Sequence, residues 1–202
     1  MRLVVFAIVL AALPVSAVAH AQSDHAEKPG QGFGKRGKFL VAVDNVFGIA
    51  FEKLEEGDDS TRHTGAFPGI FGPRIGLHGA FDSGVTLGAN LGLSNFRVSS
   101  GASSDSNGLW ALQIVPRIGY AGSFSPGFGF WLRAGPSFRF LVPEEGRGDA
   151  NYIGLGGEAF LVATPVEHFG VMFGPTCDIG LVGENDNKFR SLGASVGLVA
   201  DL

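Results

Sequence analysis

Gly76–Leu93 reads GLHGAFDSGVTLGANLGL. Its larger apolar side chains, Leu77, Phe81, Val85, Leu87, Leu91 and Leu93, all fall on odd positions. Between them stand His78, Asp82, Thr86, Gly88, Asn90 and Gly92. A period of two is the mark of a strand, because successive side chains point to opposite faces. Asp82-Ser83-Gly84 interrupts the alternation with turn residues, so the stretch reads as a hairpin. One face is greasy and the other is small or polar. In a water-soluble barrel the greasy face would look inward, and in a membrane barrel it would look outward.

The rest of the chain repeats the pattern. The expected strands run over about Gly37–Glu52, Phe67–Phe81, Val85–Val98, Leu109–Tyr120, Gly127–Val142, Tyr152–Thr164, Phe169–Val182 and Arg190–Leu202. That is roughly eight strands of about 12–16 residues, longer than the 9–11 that a tilted transmembrane strand requires. They also exceed the usual strand of soluble domains, about 5–6 residues. The links between strands alternate in length. DSG, AGSFSPG and PVEH are short, whereas KLEEGDDSTRHTGA, SSGASSDSNG, PEEGRGDAN and GENDNKF are longer and polar. Short turns on one rim and longer loops on the other are expected of an outer-membrane barrel.

Composition agrees. The chain of 202 residues holds 32 Gly and 18 Phe, with only 17% charged residues and a net charge of −4. Glycine disfavours helices and phenylalanine favours strands. A nucleic-acid binder would carry a basic stripe, which this balance lacks. With Cys177 as its single cysteine, the chain has no intrachain disulfide framework. After the N-terminus no run of about 18 apolar residues could form a spanning helix.

The first 21 residues, ending Ala19-His20-Ala21, combine Arg2, an apolar core and a small-x-small end. They read as a secretory signal peptide. Residues 22–36 are polar and bear Gly and Pro, as in a flexible periplasmic leader, and the barrel is expected over 37–202. GQGFGK in the leader lacks the spacer and the Ser/Thr of a phosphate loop.

The direction of the wall follows from the smaller face. It carries Gly, Ala, Ser and a few charges, too little Lys and Glu for a solvated exterior. It suits the interior of a narrow barrel, where eight strands leave room only for side chains. The inward charges are Asp44, Glu158 and Asp178 against Arg74, Arg117, Arg133 and Arg139, with His78. Buried charges must be paired, so they are expected to form a lumen plug, with Asp44 near Arg74, Arg117 near Arg133 and Arg133 near Glu158. Phe67, Trp110, Phe138 and Phe140 near the long-loop ends, and Phe81, Tyr120, Phe128 and Phe169 near the turns, suit interfacial girdles.

On these features, over about Gly37–Leu202, the chain resembles the small OmpA/OmpX-type outer-membrane barrels. The resemblance implies an all-β, eight-stranded antiparallel transmembrane up-and-down barrel in the bacterial outer membrane. It implies outer-membrane lipid and lipopolysaccharide as surroundings, and recognition of the C-terminal strand SLGASVGLVADL by the barrel-assembly machinery. Family members usually end that strand in an aromatic residue, and this chain ends in Leu202.

No residue pattern points to an enzyme, a cofactor or a metal centre. His63 with Asp58, Asp59 and Ser60 is read as a solvated loop rather than a hydrolytic cluster. His25 and His168 are read as solvated, in the leader and a turn. His78 faces the lumen with no serine beside it. Arg147-Gly148-Asp149 is an integrin-type tripeptide whose ordinary reading is a chance loop sequence. Glu55, Glu56, Asp58 and Asp59 lack calcium-loop spacing, and Cys177 is a small outward apolar residue. The sequence thus favours a structural or surface-interaction barrel with a filled lumen. The alternatives are a small porin-like channel and a soluble secreted barrel that binds a lipid-like ligand.

Overall fold

The computed structural model describes residues 33–34, 39–56, 59–66, 72–99, 106–143, 150–183 and 188–202. The signal peptide, most of the leader, Phe67 and Arg147-Gly148-Asp149 lie outside the described residues.

Nine strand segments follow one another: β1 (Phe39–Glu56), β2 (Asp59–Ala66), β3 (Arg74–Ala80), β4 (Val85–Ser99), β5 (Ser106–Ser125), β6 (Phe128–Pro143), β7 (Ala150–Val166), β8 (Phe169–Gly183) and β9 (Lys188–Asp201). Each pairs antiparallel with its neighbour, and β1 also pairs with β9, which closes the ring. The second wall position is split. β2 pairs with the outer half of β1, as in Glu52↔His63, and β3 pairs with its inner half, as in Asp44↔Arg74. The nine segments therefore fill eight positions of an all-antiparallel barrel. Closure removes the exposed edges that an open sheet would present.

One expectation is corrected here. KLEEGDDSTRHTGA reads as a long polar loop, yet β1 continues to Glu56 and the chain returns as β2 from Asp59. His63, Asp59 and Ser60 thus sit in a strand, as do Glu55 and Glu56. Ladder hydrogen bonds to the neighbouring chain decide this, and polar composition does not reveal them.

The short turns are tight. Gly84 donates to the Phe81 carbonyl at 2.8 Å with φ of 87°, a backbone state that glycine adopts without strain. Pro126-Gly127 and Glu167-His168 make the other two turns.

The alternation sets the two faces. Phe47, Leu77, Leu87, Leu91, Leu93, Ile118, Phe128 and Leu192 all point outward and are exposed. Leu40, Asp44, Arg74, His78, Asn90, Gln113, Arg117, Trp131, Arg133, Glu158 and Met172 are buried inside. Trp110 among the long-loop aromatics, and Phe81, Tyr120, Phe128 and Phe169 at the turns, are exposed on the outer surface, while Phe138 and Phe140 are half-buried.

Candidate functional site: the filled lumen

The lumen is stacked in layers. Its short-turn end is apolar. Phe33, Leu40, Ala42, Ala121, Trp131, Phe160, Val162, Met172 and Val199 form one buried cluster there. Two residues of the leader take part. Phe33 stands edge-on to Trp131, with ring centroids 6.2 Å apart, and its carbonyl accepts from Ser123 Oγ at 3.4 Å. The Gly34 amide donates to Asp201 Oδ2 at 3.2 Å. Gly34 has φ of 75°, and a side chain there would collide with Ala121.

Above the apolar layer lies the charge network. Glu158 is its hub: Oε1 accepts from Arg74 Nη2 at 3.0 Å and from Arg117 Nη2 at 3.1 Å. Its Oε2 is 3.2 Å from Arg133 Nε and accepts from Arg117 Nε, also at 3.2 Å. Asp44 Oδ2 accepts from Arg133 Nη2 at 2.8 Å and from the Asn90 amide, and lies 3.6 Å from Arg74 Nη2. Asp178 binds Arg139 Nη2 at 2.7 Å and lies 3.6 Å from Arg117 Nη2. Desolvating such groups costs several kcal/mol per ion, which only partners at this range offset.

The elements explain why these partners meet. Arg133 on β6 stands directly opposite Glu158 on β7, and Asp44 on β1 opposite Arg74 on β3. Arg117 and Arg133 are not ladder partners, since Arg133 pairs with Gly119. They meet on the shared Glu158 carboxylate, because a narrow barrel brings side chains across the lumen. In β1 the register slips between Val43 and Phe47, and Asn45 there has φ of 56°. This bulge lies beside Asp44, where re-aiming a side chain is the usual consequence.

His78 joins the network indirectly. Its Nε2 is 2.9 Å from Asn90 Oδ1, and Asn90 in turn donates to Asp44. The imidazole also packs edge-on against Trp131 at 4.8 Å. Arg133 lies over the Trp131 ring at 4.3 Å and near Phe160 at 5.0 Å. The aromatic layer thus takes the underside of the charge layer in cation–π contact.

Sequence reasoning did not single out Asn90 as the link between His78 and Asp44. Its inward parity was the available signal. It also missed the apolar layer and Glu52, which is buried on the inward face of β1 and attracts Arg139.

A further role of Arg117 was not legible. Pro116 on β5 and Pro136 on β6 fall opposite each other in a register that holds on both sides, at Ile114↔Phe138 and Ile118↔Ala134. The ladder is broken between those pairs, since proline has no N–H to donate. Arg117 Nη1 donates instead to the carbonyls of Pro136 at 2.9 Å, Gly135 at 3.0 Å and Pro116 at 3.2 Å. One guanidinium therefore closes the wall and holds the hub carboxylate.

Among the described residues no cluster of His, Cys, Asp and Glu could hold a metal ion. No described helix is long and apolar enough to cross a membrane, which says nothing about strands.

Closed ring, greasy exterior and charged lumen together decide the comparison with known structures. This is the fold of the OmpA/OmpX-type barrels. Neisserial surface protein A matches over 82% of this chain and 98% of its own, at 16% identity and a TM-score of 0.54. Ail, the attachment invasion locus protein of Yersinia pestis, matches over 80% and 99%, at 11% identity and a TM-score of 0.49. The N-terminal β-barrel domain of Pseudomonas aeruginosa OprF matches over 80% and 98%, at 13% identity and a TM-score of 0.35. No protein-family model and no curated protein sequence matches the chain. At such identities the OmpA/OmpX-type likeness concerns the fold, and one fold hosts many roles.

Proposed function

We propose that the chain is a bacterial outer-membrane barrel, not an enzyme, with a structural or surface-interaction role and a lumen closed by side chains. The observation that carries this reading is the inverted arrangement of the two faces. Large apolar side chains such as Phe47, Leu93, Ile118 and Leu192, each 60% exposed or more, cover a closed ring whose interior holds the charges. Monomeric soluble proteins rarely show apolar patches beyond a few hundred Å². Lipid is the solvent that suits such a wall, and a closed barrel satisfies its backbone there.

On this reading the N-terminal segment is an export signal, and the C-terminal strand β9 presents the chain to the barrel-assembly machinery. The longer connections carry contacts with lipopolysaccharide and with a surface partner. The lumen charges Asp44, Arg74, His78, Arg117, Arg133, Arg139, Glu158 and Asp178 are wall and filling rather than a reactive centre. The apolar cluster beneath them supports a closed lumen over a porin-like channel.

The test is fractionation with gel migration. The expected result is recovery in the outer-membrane fraction and heat-modifiable migration of the folded protein. Recovery as a detergent-free soluble monomer would overturn the reading.

A further inference from the structure

The outward face of β1 and β9 changes character toward the long-connection end. Over the middle of the wall it is apolar: Phe47, Ile49 and Phe51 on β1 and Leu192 on β9 are all exposed. Phe51 stands opposite Leu192, and at the next position on the same face Lys53 stands opposite Arg190. Lys53 is half-buried, while Arg190 and Lys188 are exposed. On its other side Lys53 is in register with Arg62 of β2. Arg62, Lys53 and Arg190 thus occupy one row across three neighbouring strands.

That row runs against the usual rule of sheets. Like charges directly opposite each other destabilise a strand pair, because their Cβ atoms stand only about 4.5–5.5 Å apart. The ladder neighbours of Arg190 are Lys53 and Ile179, and those of Lys53 are Arg190 and Arg62. Glu55 takes the register position opposite Lys188. One acid among Lys53, Arg62, Lys188 and Arg190 leaves the group with an excess of positive charge. The cations gather where the apolar wall ends, and there long side chains lie along a greasy surface and hold their charged heads beyond it.

We propose that the row Arg62, Lys53 and Arg190 is a docking site for a membrane lipid whose headgroup ends in a phosphate monoester. A monoester carries about −1.5 to −2 charges near pH 7, which suits several cations at once. A guanidinium takes two phosphate oxygens in its fork, and an ammonium binds the same group as a point charge. With the phosphate between them, the like charges of the row no longer oppose one another. The acyl chains lie on Ile49, Phe51 and Leu192, which continue from the cations on the same face. That continuity favours a lipid over a soluble anion, which would leave the apolar wall beside the row unused. The inference rests on the outer-membrane reading, which supplies the lipid.

The experiment uses the mature protein folded in maltoside micelles, which carry no phosphate, with amide chemical shifts followed by NMR. Three probes are added separately: dioctanoyl phosphatidic acid, dioctanoyl phosphatidylcholine and inorganic phosphate. The expected result is saturable shifts around Phe51, Lys53, Arg190 and Leu192 with phosphatidic acid, at lower concentration than with either other probe. Arg190→Gln is expected to weaken that binding roughly fivefold, the effect of one basic residue at an anionic lipid surface. Arg190→Lys keeps the charge and should retain most of the affinity. Should Arg190→Gln lose heat-modifiable migration, Lys53→Gln takes its place with the same expected loss. Absence of shifts with phosphatidic acid would overturn the proposal. So would equal affinity for phosphatidylcholine or for inorganic phosphate, or unchanged affinity in the folded glutamine variant. Any of these results in a protein recovered from the outer membrane removes the lipid site alone, whereas recovery as a soluble monomer removes the membrane reading with it.

Discussion

Pro116 faces Pro136 across the β5–β6 ladder, and the guanidinium of Arg117 takes the place of the hydrogen bonds that neither proline can donate. Proline inside a paired strand normally marks an edge or a bulge. Here both prolines sit in the wall, and their orphaned carbonyls are satisfied from the lumen side. A buried carbonyl left unmade costs about 1–3 kcal/mol.

Arg117→Lys keeps the charge but loses the planar fork that reaches carbonyls and carboxylate together. Its expected cost is about 1–3 kcal/mol, the range for buried hydrogen-bonding groups left without a partner. Hydrogen exchange checks the location. Amides of β5 and β6 flanking the prolines should exchange faster, while the β6–β7 ladder stays protected. Adding Pro136→Ala to that variant restores one N–H and should recover part of the protection. Uniform exchange across all ladders would remove Arg117 from this role.

Glu158 serves three arginines, Arg74, Arg117 and Arg133. Glu158→Gln leaves them facing one another in a buried layer. The expected loss is about 3–5 kcal/mol, read as a lower urea midpoint for unfolding from lipid vesicles. Asp82→Asn, in an exposed turn, serves as the control and should be neutral within about 0.5 kcal/mol. Equal midpoints for the two variants would show that the network contributes no stability.

Leu91 stands on the outer face of β4, 57% exposed, opposite Ile114 of β5. In lipid, Leu91→Arg should cost about 2–4 kcal/mol if the site lies near the bilayer midplane. On a water-exposed surface the same change would be close to neutral. Folding yield into vesicles, compared with yield in detergent alone, separates the two environments. A neutral result in vesicles would argue that this face does not meet lipid.

Phe33 is 4% exposed and completes the apolar layer against Trp131. Phe33→Ala should cost about 3–5 kcal/mol, as for other buried aromatic truncations. Tryptophan emission should shift to the red as Trp131 gains water, with Trp110→Phe in the background to isolate the signal. Unchanged emission and stability would mean that the leader contributes nothing to the packing.

The wall was legible in the sequence because a strand has a period of two. In GLHGAFDSGVTLGANLGL the outward set of Leu77, Leu87 and Leu91 and the inward set of His78, Asn90 and Gly92 follow from parity alone, as does the turn at Asp82-Ser83-Gly84. Strand number and the sign of each face followed from the same count. Parity also put the seven acids and arginines of the lumen on one side.

What parity cannot give is distance across a closed ring. The meeting of Arg74, Arg117 and Arg133 on Glu158 joins four strands, and depends on curvature and register that no local pattern encodes. The split of the second wall position into β2 and β3, the slip beside Asp44 and the docking of Phe33 in the lumen are likewise tertiary. So is the facing of Pro116 and Pro136, which lie 20 residues apart in sequence. The period of two fixed which way each side chain points; closing the sheet decided which of them touch.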